Sequence, residues 1–199
     1  TALSDLFGEI PSWRLSQIER ALFSPSVRSF GDITTLPALW RSPLHEEEVF
    51  VSYREAQVFW SRKKDTFKAL LKLADGKMIE TVLMKNARGA FTVCVSTQVG
   101  CAMACTFCAT GKMGFSRNLS NDEIVDQVRH WVYFLADHPE VSARISNIVY
   151  MGMGEPLANY EAVKQSLRTI LAHTDIGPTH ITVSTVGLVP MLEHILEDA

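Results

Sequence analysis

FTVCVSTQVGCAMACTFCATGKMGFSRNLS, residues 91–120, decides how the rest of the chain is read. Its first seven residues form a strand-length run rich in β-branched and aromatic side chains. At its end Ser120, with Glu123 three residues on, makes a capping box that opens a helix. Between them lie Cys101, Cys105 and Cys108, a C-x3-C-x2-C run in the loop after the strand. The helix stripes Ile124, Val128, Trp131, Val132 and Leu135 on one face and is expected to stop near His138-Pro139, because the residue before proline disfavours helix. The same grammar then repeats. A strand at 145–151 precedes a helix striped by Val163, Leu167, Ile170 and Leu171 and broken at Ile176-Gly177-Pro178, and a third strand, HITVST, precedes a helix carrying Val189, Leu192, Ile195 and Leu196. Three successive βα units imply right-handed crossovers and a parallel sheet or partial barrel, with ligands at the carboxyl ends of the strands.

Upstream the pattern differs. The first sixty residues read as helical, with Trp13, Leu15, Ile18, Leu22 and Phe23 approximating a stripe, while residues 66–84 read as two antiparallel strands about Asp75-Gly76, a two-residue hairpin signal. The expected organisation is a small helical accessory domain at 1–64, a hairpin extension at 65–90 and an α/β core at 91–199. The last helix stops without a glycine cap or closing turn, so the core is expected to be truncated at its carboxyl end.

The 199 residues are 47% hydrophobic and 21% charged, enough apolar side chain for a real core and too much for disorder. No apolar run approaches the length of a membrane span, and TALSDLFGEI has neither a basic start nor an apolar signal core, so the expected compartment is the cytoplasm. Net charge is -3, divided as 13 basic against 11 acidic residues in 1–93 and 6 against 11 in 94–199. That asymmetry is far weaker than the basic signature of most nucleic-acid binders, and Arg62-Lys63-Lys64 by itself reads as a solvated face.

All four cysteines fall between 94 and 108, where a disulfide framework would scatter them. Structural zinc wants four closed ligands, and the next candidate, His130, lies inside the capped helix. A 4Fe-4S cluster normally takes four cysteines, so three leave one iron open to a ligand from solution. The residues favour that reading over a zinc site or an unligated buried cluster. Met151 to Pro156, MGMGEP, follow the second strand, where glycine would let backbone carbonyls approach a ligand ammonium; alone, the segment reads equally well as a tight turn.

The spacing, with Phe107 directly before the last cysteine, resembles the cluster loop of the radical S-adenosylmethionine (SAM) superfamily. CVSTQVGCAMACTFCATGKMGFSRNL, MGMGEPLANY and STVG together resemble the RlmN-type adenine-C2 RNA methyltransferases, relatives of an antibiotic-resistance methylase. The resemblance implies a (βα)6 partial barrel of which about the first three units are present. It also implies a 4Fe-4S cluster on Cys101, Cys105 and Cys108, with SAM chelated to the open iron and split by one electron to a 5'-deoxyadenosyl radical. Gly154 and Glu155 match the segment that holds the SAM amino group, and Ser184 matches a SAM-contacting serine, although Val186 stands where a serine is common. Cys94 matches a functional thiol that resolves a methyl-bridged intermediate, and Glu80 resembles a glutamate proposed as proton acceptor, with one residue of slack in its spacing.

The implied partners are 23S ribosomal RNA, transfer RNA as a second substrate, and an electron donor such as flavodoxin or ferredoxin; the full-length protein is expected to be monomeric. The family's second, methyl-carrying cysteine is missing from these residues. Two rival readings follow: a radical SAM enzyme with another substrate, or a non-catalytic, metal-bearing RNA-binding remnant.

Overall fold

The computed structural model describes residues 10–41, 50–141 and 143–198. A six-stranded sheet runs in the order β1-β2-β3-β4-β7-β8, from β1 (Tyr53–Trp60), β2 (Thr66–Leu73), β3 (Met78–Lys85), β4 (Phe91–Cys94), β7 (Ile145–Tyr150) and β8 (Ile181–Val183). The pairs β1/β2, β2/β3 and β3/β4 are antiparallel, whereas β4/β7 and β7/β8 are parallel. Two short strands, β5 (Gln98–Gly100) and β6 (Phe115–Asn118), pair apart from it. Among the described residues the helices with both ends defined are α1 (Ser12–Leu22), the one-turn α2 (Ala109–Lys112), α3 (Asn121–Asp137), α4 (Tyr160–His173) and α5 (Val189–Glu197).

Alternation along the strands decides which face is covered. Phe67, Ala69, Leu71 and Leu73 on β2, Ile79, Thr81 and Leu83 on β3, Phe91 and Val93 on β4, and Ile148 and Tyr150 on β7 are all buried. Onto them α3 brings Ile124, Val128, Trp131 and Phe134, and α4 brings Val163 and Ile170. The polar atoms inside this layer are paired: the Trp131 indole donates to Thr81 Oγ1 at 3.0 Å, and the Tyr150 hydroxyl meets Ser166 Oγ at 2.8 Å. Both long helices thus lie on one face, the arrangement of a barrel rather than of a doubly wound sheet. The other face, by strand alternation, carries Lys68, Glu80, Val82, Cys94 and Val149. The α/β class and the three βα units are as expected.

Two expectations change. Residues 53–60 are a strand, not part of a helical unit, and extend the hairpin into a three-stranded antiparallel wing; their run of exposed positions, with a single half-buried residue inside it, hid the strand period. The β2–β3 connection is not a two-residue turn: Leu73 N–H donates to Lys77 O, leaving three residues in the loop, with Gly76 at φ 81 supplying the left-handed position such loops need. Of the amino-terminal unit, α1 packs Ile18 with Val27, Phe30, Ile33 and Leu36 in a small core of its own; residues 1–9 and 42–49 lie outside the described residues.

Candidate SAM and cluster site at the carboxyl ends of the strands

The segment after β4 and the segment after β7 are knitted together before any ligand enters. Met153 O accepts from Thr97 N–H at 2.7 Å and Gln98 N–H at 3.1 Å, Met153 N–H donates to Ser96 Oγ at 2.8 Å, and Gly152 N–H donates to Val95 O at 3.0 Å. The glycines make this approach possible. A Cβ on Gly152 would sit 2.7 Å from both Ser96 Oγ and Val95 O, and one on Gly154, whose φ is +104, would sit 2.6 Å from the Gln98 side chain. The sequence suggested that these glycines clear room for a ligand; here the room on their Cβ side is taken by Ser96 and Gln98.

Glu155 then joins the third strand to the same rim. It is buried, its N–H donates to Gln98 Oε1 at 2.9 Å, and its carboxylate accepts from Leu157 N–H, Thr185 Oγ1 and Val186 N–H at 3.0, 2.5 and 3.0 Å. A buried carboxylate is tolerable only when its lone pairs are occupied in this way. Both oxygens are committed to the protein, so Glu155 orients the 184–187 segment. Ser184, one residue before Thr185, is exposed on that segment.

The cysteine loop springs from β5. Gly100, at φ 76, crosses so close to Gly114 that a Cβ would meet its carbonyl oxygen at 1.8 Å, and Cys101 N–H donates to the same oxygen at 3.0 Å. A Cβ on Gly111 would stand 2.9 Å from Cys105 N, so α2 seats directly on the loop. Ala104 takes a left-handed φ of 48 to turn the chain. Cys101, Cys105 and Cys108 are half-buried free thiols. The Gly111 amide, with help from the Thr110 amide and hydroxyl, holds Cys108 below its usual pKa, toward the thiolate that binds metal. Among the described residues no three His, Cys, Asp or Glu side chains stand in metal-holding geometry. The structure gathers the three thiols on one tight loop without drawing them onto a common centre. As a donor set, three unpaired thiols in eight residues fit an iron-sulfur cluster.

Cys94 closes β4 on the sheet face away from α3. It is buried, and burial pushes its thiol up, partly opposed by the Met151 amide. In the β3/β4 register Val82 lies opposite Cys94, so Glu80, two residues earlier, shares their face. The Glu80 carboxylate is half exposed and ion-paired to Lys68 at 3.1 Å. Its backbone is wired into the rim: Glu80 O accepts from Ser96 Oγ at 2.5 Å, and Glu80 N–H points at Met153 Sδ at 3.4 Å.

Several residues of the rim carried no signal of their own in the sequence. Gln127 on α3 accepts from Ser96 N–H at 2.7 Å and donates to Ser96 O at 2.9 Å, and Asn159 donates to both Thr97 O and Leu119 O at 2.8 Å. Arg117 on β6 grips Glu123 with both terminal nitrogens at 2.7 and 2.8 Å and Asp75, at the hairpin tip, with Nε at 2.7 Å. Buried amides and a doubly paired guanidinium find their partners by tertiary folding, often from 20 to 60 residues away, and no local spacing marks them.

This rim, with three thiols on a loop after the first parallel strand, is that of a radical SAM core, and the family comparison agrees: the Radical SAM superfamily model matches residues 95–198. The chain belongs to the radical SAM superfamily, whose members carry a 4Fe-4S cluster and SAM. It is 42% identical over 187 residues to a protein of Thermosynechococcus vestitus named probable dual-specificity RNA methyltransferase RlmN, covering 94% of this chain and 53% of that one. A protein of Gloeobacter violaceus with the same name is 47% identical, over 89% of this chain and 49% of the relative. A radical SAM methyltransferase from Sphaerobacter thermophilus, of known crystal structure, superposes with a TM-score of 0.83 at 38% identity, over 94% of this chain and 54% of that chain. The chain thus spans about half the length of the relatives it matches.

Proposed function

We propose that this chain is part of a radical SAM methyltransferase that adds a methyl group to adenine C2 in 23S ribosomal RNA and in transfer RNA. The observation that carries the reading is the loop of three free thiols beside a rim that Glu155 ties to the third parallel strand. The names of the relatives supply the RNA methyltransferase activity. In this reading Cys101, Cys105 and Cys108 hold the 4Fe-4S cluster and leave one iron for SAM. A cluster held there would, once reduced by an external one-electron donor, supply the electron for cleavage of the SAM sulfonium.

The chain's own residues do the rest. Gly154, Glu155 and Ser184 form the SAM cradle, Gly154 by permitting the close packing of the 152–154 segment on Gln98 and Glu155 by presenting Ser184 on the same rim. Cys94 is the resolving thiol; its burial keeps it protonated and unreactive until substrate is in place. Glu80, on the same face, receives a proton, with Lys68 holding its carboxylate in place through their ion pair. A flavodoxin or ferredoxin is the proposed electron donor, the whole protein the proposed monomer, and the cytoplasm, where thiols stay reduced, the proposed compartment. No helix among the described residues is long and apolar enough to cross a membrane.

The test is SAM cleavage. Anaerobically reconstituted chain, given dithionite and SAM, is expected to form 5'-deoxyadenosine, seen by chromatography. One tightly bound zinc per chain, with no nucleoside released, would contradict the proposal and favour the non-catalytic metal-bearing reading.

A further inference from the structure

The sheet end opposite the cysteine loop brings together three connections far apart in sequence. Lys85 N–H donates to Asp65 O at 2.7 Å, joining the β3 end to the β1–β2 turn. Asn86 Nδ2 donates to Ser146 Oγ at 3.2 Å and Phe91 N–H to Arg144 O at 2.9 Å, joining the β3–β4 turn to the start of β7. Along this line stand Arg62, Lys63, Lys64, Lys85, Arg88 and Arg144, every one exposed. Among the described residues none of the six forms a salt bridge. Asp65, the one carboxylate within these turns, accepts from Ser61 Oγ at 2.7 Å and Thr66 Oγ1 at 3.3 Å, and the Lys63 charge acts on it without closing an ion pair. From β1 to β7 the line crosses four strand spacings, about 19 Å.

The middle of the line is a groove rather than a flat surface. Asn86, Arg88, Arg144, Ser146, Asn147 and His180 line a cavity of about 570 Å³, and Asn147 Nδ2 stands 3.4 Å from His180 Nδ1. Asp175, in the adjoining cavity beside Arg144 and His180, bounds it on one side. The half-exposed indole of Trp60, with Lys64 Nζ 5.4 Å from its ring centre, bounds the other end.

We propose that this stripe docks the phosphodiester backbone of RNA, with phosphate seated in the Arg88–Arg144–His180 groove and a base able to stack at Trp60. The inference rests on the RNA reading above and adds a docking surface to it, remote from the cysteine loop. Its physical basis is charge outside any salt bridge: such cations exchange water and counterions for phosphate at little cost, and amide and hydroxyl groups between them suit sugar and phosphate oxygens. Trp60 beside the cations favours RNA over an acidic protein, since an aromatic face stacks on any base.

Anisotropy of a labelled RNA stem-loop at roughly 50 mM salt tests this with the 199-residue chain and a Lys63→Glu, Arg88→Glu, Arg144→Glu variant. The triple variant is expected to bind at least about tenfold more weakly and with a shallower salt dependence. The alanine version of the same triple should lose less, and Arg168→Glu, on an exposed position of α4, should leave affinity unchanged. A triple variant no weaker than Arg168→Glu would overturn the proposal, as would polyglutamate binding the unaltered chain as tightly as RNA does. Failure of the unaltered chain to bind RNA at all would instead bring down the RNA reading from which the proposal starts.

Discussion

Gly154 shows how much a single missing Cβ can decide. Its positive φ and the 2.6 Å approach to Gln98 leave no relaxed geometry for a branched side chain, so Gly154→Val is expected to destabilise the chain by roughly 3 kcal/mol. Thermal unfolding measures this, and an unchanged melting temperature would mean that the loop is not packed as described. The same substitution should raise the SAM concentration needed for nucleoside release. From sequence, the three cysteines were legible by their spacing, whereas the glycine segment read equally well as a turn and Cys94 stood out only through the family resemblance. The work of Glu155 was not: its matched position pointed to SAM, while its hydrogen bonds to Thr185 and Val186, 30 and 31 residues on, are created by the fold.

Among the elements, α3 was the most legible and does the most. Its capping box forms as expected, with Glu123 N–H donating to Ser120 Oγ at 3.2 Å and Ser120 N–H to Glu123 Oε2 at 2.9 Å, and the helix ends at Asp137, before Pro139. Glu123 has a second duty that the cap alone does not reveal, since Arg117 binds it bidentately while reaching Asp75. That guanidinium fastens the return strand of the cysteine loop to the hairpin tip and to the start of α3. Arg117→Ala is expected to cost roughly 1 to 2 kcal/mol, because the pairs are partly solvated, and to speed loss of iron from reconstituted protein in air. Iron retention at the native rate would make the clamp merely structural.

The same helix sets a pH dependence. His130 is buried beside Tyr53, whose hydroxyl lies 3.1 Å from Nδ1, and burial holds its pKa down to about 4. The unfolded chain binds that proton near pH 6.5, so the folded state loses stability as pH falls from about 6.5 toward 4, by roughly 3 kcal/mol from this group. Denaturant titrations at pH 7 and pH 5 should show the loss in the unaltered chain and a smaller one in His130→Gln. Equal losses would remove His130 as the cause. β1 was the illegible element: as an exposed strand paired on one side only, it has no apolar period to betray it.

At the scale of the molecule, the βα order and the strand-end location of the site could be read from sequence because they follow from chain topology. The basic residues had no collective reading until folding brought Arg62, Arg88 and Arg144, from both halves of the chain, to one sheet end. Stoichiometry adds a limit. With Cys101, Cys105 and Cys108 on iron, only Cys94 remains among the four cysteines, and methyl transfer in the proposed scheme needs a second thiol to carry the methyl group. The 199-residue chain alone is therefore expected to leave adenine in RNA unmethylated, and a longer chain to gain activity only if it brings another cysteine. Mass spectrometry of nucleosides from treated RNA checks both statements.

The most direct measurement of the central claim is iron and sulfide content after anaerobic reconstitution, with the reduced protein followed by electron paramagnetic resonance before and after SAM. A 4Fe-4S cluster on the three-cysteine loop predicts about four iron atoms per chain and a spectrum that SAM shifts. Cys101→Ala, Cys105→Ala and Cys108→Ala should each abolish the cluster, while Cys94→Ala keeps it. Iron lost in Cys94→Ala, or retained in any of the other three, would contradict the assignment.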